Sequence, residues 1–405
     1  MSLKKEYQEI IKRVNSLRIV NPSGDLNKKV KRVAVFLTGS RSGSSLMKAV
    51  VSRSNDVAYL SGEEEPFYIL SGNGYPWSSE SDAFTTVKNR QHLLDNIFDD
   101  MGINSKVFNY YDILDDWRNR ILLQFPDVDH DILSWVLPKY VQKYYSGECD
   151  HIEAAQKLLY TLFNEKAGLY DVCEGSYDFM SQKFKIEEPP FVIPSIRRKF
   201  TAADVDDKVL VFKTPQDCYR IGIFEQLFPN AEIKYIHLTR GFAQTLNGLM
   251  DGWLSDTGFF AHDVSLSKET LNIDGYSNVK TYGDRWWKFD LPPNWKEYKD
   301  SPLYEVCLNQ WHSAHTHILN SGKQCLQVKF EDFLTNPNET AKTITDYLGI
   351  NPIKLDNIPV VMATEKPEQF RWLKRRSLIQ ELSERKEVKE LMSALNYKME
   401  PELWV

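Results

Sequence analysis

Cysteine is scarce and unpaired in this sequence. The 405 residues hold five, Cys149, Cys173, Cys218, Cys307 and Cys325, scattered and never in a Cys-x-x-Cys pair. An odd, dispersed set argues against a disulfide framework and reads as reduced thiols of a cytoplasmic protein. No run of 18 apolar residues occurs, so no membrane span is expected. The opening segment, "MSLKKEYQEIIKRVNSLRIV", is charged throughout and lacks the apolar core of a secretory signal. There is no basic excess: 50 Lys and Arg face 56 Asp and Glu, for a net charge of −6. That balance argues against a general binder of nucleic acid. Metal-ligand spacing is missing too. In "WHSAHTHIL", His312 and His315 share a helical face but His317 does not, so the three read as packing histidines and no metal is expected.

What is present is an ordinary globular composition, 42% hydrophobic and 26% charged. Residues 1–18 have the pattern of a short amphipathic helix, ended by the turn "NPSGD" at 21–25. Strands are predicted at 32–38, 208–215, 232–240 and within 321–337. A shorter one opens "DVAYLSGEEEPFY" (56–68), followed by a loop stopped at Pro66. Helical patterns separate the strands. The alternation predicts an α/β fold, a P-loop-like three-layer arrangement with a central parallel sheet covered on both faces, as one domain over 1–405. Between about 75 and 195 the pattern turns helical, in "YDILDDWRNRILLQF", "HDILSWVLPKYVQKYY" with a kink expected at Pro138, and "HIEAAQKLLYTLFNEKAG". This block is read as an insertion capping the sheet's ligand edge. A second insertion, about 255–302, is dense in Trp, Tyr and Phe and is read as an aromatic lid.

The most informative stretch is "VFLTGSRSGSSLMKAVV" (35–51). A buried strand runs into a small-residue loop, and the loop opens a helix. Such a loop turns backbone N–H groups and a helix N-terminus toward an anion. The Walker form, GxxxxGK[ST], is absent: three residues separate Gly39 from Gly43, and Ser44 stands where lysine is required. The charge sits inside the loop, at Arg41. This weighs against a kinase-like P-loop phosphotransferase, which stays as an alternative beside a non-catalytic nucleotide-binding protein on the same fold.

Segments in matching order resemble the sulfotransferase family. "TGSRSGSSLM" resembles its 5′-phosphosulfate loop, written roughly PxRSGTTLL. "VFKTPQD" resembles its KTP turn, with Lys213 as the lysine. "FEQLFPNAEIKYIHLTR" resembles its LFPNAKFI…VRD stretch and ends at Arg240. "LQVKFEDFLTNPNETAKTITDYLGI" resembles a late signature, xVRYEDLVxDPxxTLxxIxxFLGI. The basic turn "EKPEQFRWLKRR" (365–376) falls where the family has its last donor-binding segment. The resemblance covers about 1–68 and 205–400. It is nearest to the bacterial and tyrosylprotein-type branch, which has arginine in the loop. Where the family has a serine eight residues after the strand-end arginine, this chain has Gly248.

The resemblance implies transfer of a sulfuryl group from 3′-phosphoadenosine-5′-phosphosulfate, leaving adenosine 3′,5′-bisphosphate. The acceptor would be a hydroxyl or amine of a small-molecule or carrier-bound compound, and no metal is implied. Donor binding falls to Gly39, Ser40, Arg41, Ser42, Gly43, Ser44 and Ser45. The 3′-phosphate falls to Arg240, to Asn247 and Gly248 at the serine's place, and to Arg371, Trp372, Lys374 and Arg375. Arg41 and Lys213 would face the transferred group. A carboxylate of "SGEEEPFY" would take the acceptor's proton: the family's GEE motif makes Glu64 the expected base, alignment on the Glu-Pro pair makes Glu65 the alternative, and Glu63 completes the run. Sulfuryl transfer is an in-line displacement with loosely held equatorial oxygens, so positioning and cationic side chains can carry it.

Overall fold

The computed structural model describes residues 2–105, 108–163, 183–188, 197–256, 258–358 and 368–404. Its strands are β1 (Arg32–Leu37), β2 (Val57–Tyr59), β3 (Gly102–Asn104), β4 (Arg197–Lys199), β5 (Val209–Phe212), β6 (Glu232–Thr239), β7 (Phe260–Asp263), β8 (Trp286–Lys288) and β9 (Cys325–Lys329). Seven of them form one sheet in the order β4-β3-β2-β5-β1-β6-β9, and β7 with β8 forms a separate antiparallel pair. The core strands are continuous apolar runs because both faces are covered: Val33, Ala34, Val35, Phe36 and Leu37 are all buried.

The pairings of β1 with β5, β1 with β6, β2 with β5 and β6 with β9 are parallel. Parallel strands end on the same edge of a sheet, so the segments that follow them converge there. The residues after β1 are Gly39 to Ser45, those after β2 include Glu63 to Glu65, Lys213 follows β5, Arg240 follows β6, and Phe330 follows β9. Motifs spread over some 290 positions meet through this topology alone.

Three expectations need correction. The block between 75 and 195 is mainly helical, with helices Arg90–Asp100, Tyr110–Gln124, His130–Tyr145 and His151–Phe163, but it also holds β3. With β4 just beyond it, β3 widens the central sheet by two antiparallel strands. The strands approach closely at Gly102, where a Cβ would lie 2.9 Å from that of Arg197. The block's residues 164–182 and 189–196 lie outside the described residues, as does Cys173. Pro66 does not stop a loop; it sits in the first turn of the helix Glu65–Ser71, where its missing N–H costs nothing.

The aromatic segment is largely interior. Trp253, Tyr276, Trp287 and Trp295 are buried, and their rings meet edge to face at 4.8 Å (Trp253 with Tyr276), 5.1 Å (Trp253 with Trp287) and 5.5 Å (Trp287 with Trp295). This cluster packs the helix Phe242–Leu254 against the β7–β8 pair. Among the described residues of the segment, Phe259, Phe260, Ala261, Phe289 and Asp290 reach the cavity described next.

Candidate active site

A cavity of about 580 Å³ opens at the carboxyl edge of the parallel strands. The turn after β1 forms one wall. Arg41 (φ 66°) and Gly43 (φ 86°) both take left-handed backbone. Glycine is required at 43 on two counts, since a Cβ there would also lie 2.2 Å from the Phe330 ring. Gly43 caps the helix Ser44–Val51, so the positive end of that helix opens at the cavity. Ser40, Arg41, Gly43, Ser44 and Ser45 border the space. Gly39 and Ser42 stand behind it: Ser42 is fully buried, and Gly39 backs onto Ala314 and His315.

His315 belongs to a histidine pair beneath the loop. Its Nδ1 lies 2.9 Å from His237 Nε2. Burial pushes His237 down to about 4 and His315 well below the ordinary imidazole value, so at pH 7 both are neutral and one donates to the other.

Lys213 is buried, with Nζ 3.1 Å from Ser45 Oγ and an ion pair to Glu63. The other oxygen of Glu63 accepts from the Thr214 hydroxyl at 3.0 Å. The three glutamates therefore have three different surroundings. Glu63 and Glu65 border the cavity and Glu64 does not. Glu65 Oε2 lies 2.7 Å from Arg220 Nη2; burial raises its pKa, against the opposing pull of Arg220. Glu64 is fully buried, and neither of its oxygens meets a donor. Burial and the neighbouring Asp217 raise its pKa well above the carboxylate range. Its proton is the natural bridge to Asp217, whose Oδ1 accepts from Arg220 Nε at 2.9 Å. Arg220 is itself fully buried and lies over the Tyr68 ring at 4.3 Å. Glu64 thus stands behind the wall, in surroundings that favour its protonated form.

Asp290 is a carboxylate of the wall that no motif points to. It accepts from the Ser40 hydroxyl and, at 2.8 Å, from the Tyr219 hydroxyl. Burial raises it to about 6, partly offset by those two bonds. Its only signal in the sequence is an aspartate among aromatic residues, "KFDLPP".

At the far end, Arg240 donates through Nη1 to the Arg41 carbonyl at 3.0 Å, and its guanidinium lies 5.1 Å over the Phe330 ring. The Arg41 guanidinium lies 5.1 Å over the Phe259 ring. Gly248 faces Arg41, where an added Cβ would sit 3.6 Å from the arginine's own Cβ. Arg240 and Arg371 border the cavity; Asn247, Lys374 and Arg375 stand behind it. All three of Arg371, Lys374 and Arg375 bond to Asp251, a second unforeseen carboxylate. Trp372 is buried and donates to the Trp404 carbonyl at 2.8 Å, so it anchors the turn and does not reach the cavity.

The wall therefore combines a helix N-terminus, five cations (Arg41, Lys185, Lys213, Arg240 and Arg371) and several carboxylates, a donor set whose chemistry suits a bound polyanion. Among the described residues no group of three or more His, Cys, Asp or Glu side chains is arranged to hold a metal ion, and no helix is long and apolar enough to cross a membrane.

No protein-family model and no curated protein matches the chain. Solved structures similar to it include two sulfotransferase domains. One is the sulfotransferase domain from the curacin biosynthetic pathway, 14% identical, with a TM-score of 0.37 over 91% of this chain and 99% of that one. The other is the sulfotransferase domain from the Synechococcus PCC 7002 olefin synthase, 13% identical, with a TM-score of 0.35 over 92% of this chain and 96% of that one.

Proposed function

We propose that the chain is a sulfotransferase. It moves a sulfuryl group from 3′-phosphoadenosine-5′-phosphosulfate to a hydroxyl or amine of a small-molecule or carrier-bound organic acceptor. We read it as one domain carrying the helical and aromatic insertions. The observation that carries this is the meeting, in one cavity, of the Arg41–Ser45 turn, Lys213, Arg240 and the carboxylates Glu63 and Glu65. That set joins an anion cradle to a proton acceptor, and the sequence resemblance assigns the same segments to the donor.

The co-substrate supplies an activated sulfuryl group. Arg41, Lys213 and the first turn of the helix Ser44–Val51 meet the charge that develops on it. Arg240 holds the turn by its bond to the Arg41 carbonyl. Glu65 takes the acceptor's proton: it borders the cavity, and burial brings its pKa closer to neutrality, where a base works best. Glu64 is not assigned that role, because it is fully buried behind the wall. Lys213 is kept in place by Glu63.

Calorimetry and turnover test the reading. Adenosine 3′,5′-bisphosphate is expected to bind more tightly than ATP with Mg²⁺, and 3′-phosphoadenosine-5′-phosphosulfate to be converted to the bisphosphate when acceptors are supplied. Tighter binding of ATP with Mg²⁺ would overturn it in favour of phosphoryl transfer.

A further inference from the structure

Asp251 stands at the centre of the basic cluster. It lies on the helix Phe242–Leu254, one turn beyond Asn247. Its Oδ2 accepts from Arg371 Nη2 at 2.8 Å and Lys374 Nζ at 2.8 Å, and its Oδ1 accepts from Arg375 Nη1 at 2.7 Å. Asn247 adds Nδ2 to Oδ2 at 3.2 Å and receives Arg375 on its own oxygen. The Asp251 side chain is 5% exposed. Burial opposes its ionisation, but the bonds from Lys374 and Arg375 hold its pKa below the ordinary value.

Three cations gathered on one nearly buried carboxylate form an anion site with a resident anion. Arg371 carries that site to the cavity wall. A phosphate arriving there must draw the same N–H donors away from Asp251 and must also lie near its negative charge.

We propose that Asp251 is a specificity-determining residue whose carboxylate competes with the nucleotide's 3′-phosphate for Arg371, Lys374 and Arg375. The consequence is weaker preference for a 3′-phosphorylated nucleotide than three cations would otherwise give. This rests on the reading above, in which those cations receive the 3′-phosphate.

The test is calorimetry on the full chain with two probes, adenosine 3′,5′-bisphosphate and adenosine 5′-monophosphate. Asp251→Asn removes the charge and keeps one acceptor oxygen. It is expected to tighten the bisphosphate by roughly tenfold or more and to leave the monophosphate within about twofold, so the ratio of the two affinities rises. Asn247→Asp adds a second carboxylate beside Arg375 and is expected to lower that ratio; it keeps the proposal testable if the first variant folds poorly. A ratio that is unchanged or lowered in Asp251→Asn overturns the proposal and makes Asp251 a latch that merely orients the cluster. If neither the native chain nor Asp251→Asn distinguishes the two probes, the cluster does not receive the 3′-phosphate and the proposal falls. Sulfuryl transfer, measured separately as turnover, would be untouched by that result.

Discussion

Replacing Glu64 by glutamine separates a buried acid from a catalytic base. Glu64 is fully buried, faces Asp217 and has its pKa raised well above the ordinary 4.5, first by burial and then by Asp217. In the unfolded chain it ionises near that ordinary value; in the folded chain it keeps its proton to higher pH. The folded state therefore binds more protons than the unfolded state over the interval between, and stability falls as pH rises through it. The slope approaches about 1.4 kcal/mol per pH unit while the folded group stays protonated. Glutamine has the same shape, carries no titrating proton and can donate its amide N–H to Asp217. Urea unfolding of the native chain and Glu64→Gln at pH 5, 6, 7 and 8 is the assay. The variant is expected to gain relative stability at each step upward in pH, with turnover close to native. A stability difference that stays flat across this range, or a large drop in kcat, would show that Glu64 is ionised in the fold and would refute the reasoning.

Glu65→Gln removes the proposed base, and kcat is expected to fall by roughly two to four orders of magnitude while the bisphosphate Kd barely moves; parallel losses in both would make Glu65 a binding residue instead. Gly43→Ala places a Cβ 2.2 Å from the Phe330 ring at φ 86°. The left-handed backbone alone costs about 1–2 kcal/mol, the ring displacement adds to it, and a thermal unfolding midpoint equal to the native one would contradict the close packing of this turn.

The main sheet was legible because β1 and β5 are apolar runs, and β6 and β9 mix β-branched and aromatic residues with polar ones in strand-length segments ahead of helical patterns. Convergence of the motifs follows once those strands are parallel. β3 and β4 were not legible. Each spans three residues, too few to show a period, and their pairing depends on a partner nearly a hundred positions away. The choice among Glu63, Glu64 and Glu65 was open because adjacent side chains point apart once a helix begins at Glu65, and only the fold says which way the wall lies. Asp290 and Asp251 escaped for a related reason. Asp290 meets Ser40 across 250 positions, and Asp251 meets Arg371 across 120. Composition also cannot separate an aromatic core from an aromatic lid, since both bury rings; here Trp253, Trp287 and Trp295 serve the core and Phe259 and Phe289 reach the cavity.

Charge in this cavity is largely paired before any anion arrives. Lys213 holds Glu63, Arg220 holds Glu65, and Arg371, Lys374 and Arg375 share Asp251. An anion bound by these groups exchanges one carboxylate partner for another, and the net gain is small. Arg240 differs. Among the described residues it makes no ion pair; it is held by the Arg41 carbonyl and the Phe330 ring, which fix its direction without neutralising it. A new charge-assisted hydrogen bond there is worth about 1.5–3 kcal/mol. Arg240→Ala is therefore expected to weaken the bisphosphate by roughly 10–100-fold. Lys374→Ala removes the same formal charge but leaves Asp251 to Arg371 and Arg375, and is expected to weaken it by less than about fivefold. Calorimetry on both variants at one ionic strength decides the matter. Equal losses, or a larger loss for Lys374→Ala, would mean that pairing within the empty site does not set which cation an incoming anion uses.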